Sequence, residues 1–76
     1  MSFQGYLKTI KEKTGKEPAD FRTLADQKGF ATGGKLNDNI KAAEIVAWLK
    51  QDFDLGHGHS MAIYALLKGI KDENSL

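Results

Sequence analysis

The sequence predicts an all-α domain, a compact bundle of about four short helices. Three observations carry that prediction. Apolar residues recur at helical spacing in four segments. The glycines and the single proline fall mostly between those segments, where helices stop and start. No stretch alternates apolar and polar residues as a half-buried strand does, and there is no internal repeat. The chain has 76 residues, enough for one domain. Surface scaling for 8.4 kDa gives a folded surface of about 4,600 Å² and roughly 60% burial, so the core is thin.

Phe3, Tyr6, Leu7 and Ile10 lie at i, i+3, i+4 and i+7, one face of a first helix. Ser2 is its N-cap and Gly15 its stop, with Lys11 and Lys13 in the last turn, where the dipole favours cations. A second helix starts at Pro18, whose fixed φ suits a first helical position. Phe21, Leu24 and Ala25 form its apolar stripe. Gly29 ends it, and Phe30 stands where a residue just past a Schellman turn packs back on the helix. Residues 31–38 read as the one linker, because Gly33-Gly34 does not belong inside a helix. Asp38 or Asn39 is expected to cap a third helix with apolar positions Ile40, Ala43, Ile45, Val46, Trp48, Leu49 and Phe53. That set is wider than one stripe, so this helix should touch neighbours on more than one side. A Gly56-His57-Gly58-His59 turn joins it to a fourth helix, expected over Ser60 to Lys68 with Ser60 as N-cap. Met61 to Leu67 carries no charge, which marks this helix as central or as half of an oligomer contact. The helical domain is therefore expected over residues 1–70, followed by a polar tail, 71–76, that frays.

Composition bounds the function. With no cysteine there is no disulfide and no thiolate metal site. The net charge of +1 is far from the footprint of a dedicated nucleic-acid binder. Residues 1–38 hold seven basic and five acidic side chains, the rest four and five. No apolar stretch approaches the roughly 20 residues of a membrane span. The expectation is a soluble cytoplasmic protein.

Gly29 to Lys35 matches the G-x-x-x-x-G-K spacing of a phosphate-binding P-loop. Yet a helix precedes it, and Leu36 stands where a Ser or Thr would hold Mg²⁺, so a helix stop and loop is the better reading. Gly56-x-Gly58 followed by Ala62, between two helices, resembles a helix-hairpin-helix turn. There, backbone N–H groups at the start of the second helix bind phosphate. The companion basic residues are replaced by His59 and Ser60. His57 and His59 could hold a metal only if Asp52 or Asp54 completed the set, so no metal and no cofactor is expected. Ser60 beside two histidines lacks the strand-to-helix elbow of a hydrolase nucleophile. No catalytic residue is expected. Glu44, Asp52 and Asp54 show no pair set in opposed environments, as acid–base chemistry requires.

Several runs carry a family resemblance. They are Met1-Ser2-Phe3-Gln4-x-Tyr6-Leu7, Lys13-Thr14-Gly15-Lys16 with Pro18 and Phe21, Glu44 to Lys50 around Trp48, and Leu55-Gly56-His57-Gly58-His59-x-Met61-Ala62-Ile63-Tyr64. From Met1 to about Ile70 the chain resembles the small bacterial helical family known as a domain of unknown function, DUF4287. The resemblance implies a small helical module, free-standing or fused, and points to Lys13 to Lys16 and Gly56 to His59.

The functional expectation is a non-enzymatic binding module. Its leading form is protein–protein interaction or self-association through the third and fourth helices. The alternative is phosphate or nucleic-acid binding, with Gly56, His57, Gly58, His59, Ser60, Lys13 and Lys16 as the contact residues.

Overall fold

The computed structural model describes residues 2–74. Among them four helices and one hairpin follow in the order α1 (Phe3–Thr14), α2 (Pro18–Gln27), β1 (Ala31–Thr32), β2 (Lys35–Leu36), α3 (Ala42–Phe53) and α4 (His57–Lys68). The folded surface is 4598 Å², as the mass scaling requires.

The helix ends follow their sequence signals closely at α1 and α2. Ser2 Oγ accepts the Gly5 N–H at 3.0 Å, and Gly15 closes α1 in the left-handed region with its N–H on Lys11 O. Pro18 opens α2, and Asp20 accepts the Glu17 N–H at 2.8 Å. After Gly29, Phe30 N–H reaches back to Ala25 O at 2.9 Å, the six-to-one bond of a Schellman stop. Phe30 then packs on Trp48, with ring centroids 5.5 Å apart.

The linker is an ordered hairpin. Ala31 pairs with Leu36 and Thr32 with Lys35, antiparallel. Gly33 and Gly34 take φ +60° and +81°, the double positive φ that a two-residue I′-type turn demands. Asp26 accepts the Gly34 N–H at 2.9 Å, so the backbone donor that a P-loop would turn to phosphate is engaged on α2. A Cβ on Gly34 would lie 3.3 Å from Arg22, whereas one on Gly33 meets open space. Gly34→Ala should therefore cost about 1–2 kcal/mol, and more than Gly33→Ala, in chemical denaturation.

The third helix starts later than its sequence suggests. Asp38 and Asn39 do not cap it; they form the turn closed by Ile40 N–H on Asn37 O at 3.1 Å. Lys41 is the residue before the helix, and Glu44 satisfies its N–H at 2.8 Å. Ile40 lies outside α3 but still packs against the core. Asp54 reverses the chain at φ 55°, in the left-handed region.

The fourth helix starts earlier. The junction is Asp54-Leu55-Gly56, and His57, Gly58 and His59 form the first turn of α4. Ser60 is not an N-cap: Gly56 holds that place, and Ser60 is 0% exposed inside the helix. Leu55 is buried just before it, so packing on both sides of Gly56 draws this glycine- and histidine-rich segment into the helix. As an uncharged helix requires, α4 is central. It packs against α1, α2, α3 and β2, and buries Ala62, Ile63, Leu66 and Leu67.

Glu73 ties residues 71–74 to α1 and α2. Arg22 donates two hydrogen bonds to the Glu73 carboxylate, at 2.8 and 2.6 Å, and the Gln4 side-chain amide donates to the Glu73 carbonyl. The expected fraying of residues 75–76 lies outside the described residues. The Arg22 bonds hold the Glu73 carboxyl at about 2, well below its ordinary value. Its folded pKa is the lower one, so its contribution is present above the unfolded value of about 4.3 and is lost as pH falls toward 2. The Glu73 side chain is 44% exposed, which limits the gain to no more than about 1 kcal/mol. Glu73→Gln should therefore cost that much near neutral pH and clearly less at pH about 2, as urea titrations at the two pH values can check.

Candidate functional site

The nominated residues do not form one cluster. Gly56, His57 and Gly58 are exposed, while His59 is half-buried with its ring edge-on to Tyr6, centroids 5.0 Å apart. Ser60 faces inward, its Oγ donating to Leu55 O at 3.5 Å. Lys13 does reach the corner. Its ammonium donates to the Asp54 carbonyl at 2.6 Å and lies 3.9 Å from the Asp54 carboxylate. It thus caps the C-terminal end of α3, where the dipole favours a cation. Lys16 lies past the end of α1, and no hydrogen bond or ion pair joins its side chain to the 56–60 segment. The carboxylates weighed as metal ligands turn elsewhere as well. Asp52 pairs with Lys28 at 3.2 Å, and among the described residues no group of three or more His, Asp or Glu is placed to hold a metal.

The structure instead brings together a face that no motif marks. The core side of α3 is Ile45, Trp48 and Leu49, all buried. Its second apolar side is Ala42, Ala43, Val46 and Ala47, where Ala43 and Ala47 are exposed and Val46 is half-buried. These four line a shallow groove of about 470 Å³ with His57 and Met61 of α4. A second groove of about 360 Å³ shares His57 and Met61, and continues over Phe3 and Tyr6 of α1 to Ala65 and Lys71. The two depressions meet at the start of α4, whose Gly56 provides no side-chain cap. The expectation that α3 has neighbours on more than one side is half met among the described residues: they cover one apolar side and leave the other open. That width was the signal for this face in the sequence. Phe3, Tyr6 and Lys71 joined it through the fold alone.

Fold and surface together define a small, mostly helical module with a central apolar helix and a shallow apolar face beside it. No helix among the described residues is long and apolar enough to cross a membrane. The chain belongs to the family described as Domain of unknown function (DUF4287), whose model matches residues 2–69. No curated protein and no solved structure matches it.

Proposed function

We propose that this chain is a non-enzymatic interaction module that docks a protein partner on the open face of α1, α3 and α4. The observation that carries the reading is the second apolar side of α3, which the other described residues leave open and which continues across Met61 into the α1 groove. Its walls are short and apolar, alanines above all, so a partner backbone can approach closely. That favours contact with another folded or helical segment over enclosure of a small molecule. A cytoplasmic setting belongs to the same proposal and fits a chain without cysteine. The competing nucleic-acid reading would use the α4 N-terminus and Lys13, but Lys13 is engaged with Asp54.

Photo-crosslinking in cells tests this. A crosslinking residue placed at Ala47 should yield discrete protein adducts, and the same residue at exposed Thr23 on α2 should yield none. Adducts to nucleic acid, or equal yields at both positions, would refute the reading.

A further inference from the structure

We infer that residues 70–74 form a strap, hinged at Gly69, that opens and closes the groove between α1 and α4; it stands apart from the docking reading, since strap and groove belong to one chain. Phe3 and Tyr6 of α1 and Met61 and Ala62 of α4 give this groove fixed walls, and Lys71 is the one part of its wall outside a helix. Lys71 Nζ stands 5.8 Å from the centroid of the Phe3 ring, so an ammonium and its stem lie over a phenyl ring. With Lys71 in place, Phe3 is 6% exposed. With it withdrawn, more of the ring is bare to the groove. The strap is tied by polar contacts. The Glu73 carboxylate accepts two hydrogen bonds from Arg22, and the Glu73 carbonyl accepts one from the Gln4 amide. Asp72 adds its charge near the same guanidinium. No apolar anchor supports these ties: residues 70–74 are all exposed, and Ile70, their one large apolar side chain, is 64% exposed. A segment that buries none of its own side chains opens at little cost. The anchor on the body is fixed by contrast. Arg22 lies against Gly34, where a Cβ would come within 3.3 Å of the Arg22 Cβ and Cδ. Gly69, at φ +82°, turns the chain out of α4, and the Ile70 N–H closes that turn on Ala65 O at 3.0 Å. Lifting the strap breaks this bond and the Arg22–Glu73 pair and leaves the helices in place.

The test uses the full chain and the neutral dye Nile red, in a background of Ala43→Gln with Ala47→Gln that fills the α3 groove. Glu73→Ala and, separately, Arg22→Gln cut the tie. Each should speed water exchange of the Ile70 and Lys71 amides roughly three- to fivefold, as loss of one exposed ion pair implies. Dye affinity should rise by about the same factor, because the groove is then open for a larger share of the time. The Leu67 amide, inside α4, should keep its parent rate. Lys71→Ala spares the tie and removes the cover, so it should raise dye affinity as well. Ile70 and Lys71 amides that exchange at the unprotected rate in the parent would overturn the strap. So would quickened exchange without a gain in dye affinity, or no gain with Lys71→Ala. Equal quickening at Leu67 would also overturn it, because the Arg22–Glu73 pair would then prop the whole fold rather than one segment.

Discussion

Ile63→Ala lowers the free energy of unfolding by about 3 kcal/mol. Ile63 sits mid-way along α4, 0% exposed, on the helix that α1, α2, α3 and β2 all pack against. Removing its branched side chain takes away transfer free energy and leaves a void that four elements would have to shift to fill. A chain of 76 residues has only roughly 4–11 kcal/mol to lose, at 0.05–0.15 kcal/mol per residue. The melting temperature should drop by roughly 12–24 °C. Val46→Ala is the contrast: Val46 is half-buried on the open side of α3, and its truncation should cost less than about 1 kcal/mol. Equal losses at the two positions, read by urea titration, would contradict a core centred on α4.

The second large effect is on binding. Ala43→Gln with Ala47→Gln should leave the melting temperature within a few degrees of the parent. Both positions are exposed, and glutamine is nearly as good a helix former as alanine. The same pair should weaken partner binding at least tenfold, since two longer polar side chains would stand where a partner's apolar residues must sit. Stability and binding thus separate on opposite sides of one helix. Leu49→Ala destabilises, and the glutamine pair only blocks. Calorimetric melts beside titrations of a helical peptide selected by display would show the separation.

What was legible in the sequence follows physical range. The stops at Gly15 and Gly29 and the start at Pro18 are local, set by backbone conformations that few residues adopt. The central place of α4 was legible as one of two options, because a helix apolar nearly all round needs cover on every side, from its own chain or from a second one. The hairpin was not legible. Two residues per strand are too few to show alternation, and Gly33-Gly34 signals a linker and an I′-type turn equally well. The starts of α3 and α4 were displaced by tertiary terms. A turn closed by Ile40 claims Asp38 and Asn39, and burial of Leu55 and Ser60 extends α4 through a segment of poor helix formers. The Arg22–Glu73 pair joins residues 51 positions apart, beyond any local pattern. At the site, the glycines and histidines drew notice through their spacing. The open face was visible only as surplus width in the apolar set of α3, because a sequence shows which residues share a helix face but not which face finds a cover.

The most direct test of the docking face is an amide-shift map of the ¹⁵N-labelled chain titrated with a helical peptide selected on it by display. Shifts confined to Ala42–Ala47, His57–Ala65, Phe3–Tyr6 and Lys71 are the predicted result. Shifts centred on Lys35–Ile40, or spread along Lys8–Lys16 with those segments unmoved, would contradict it.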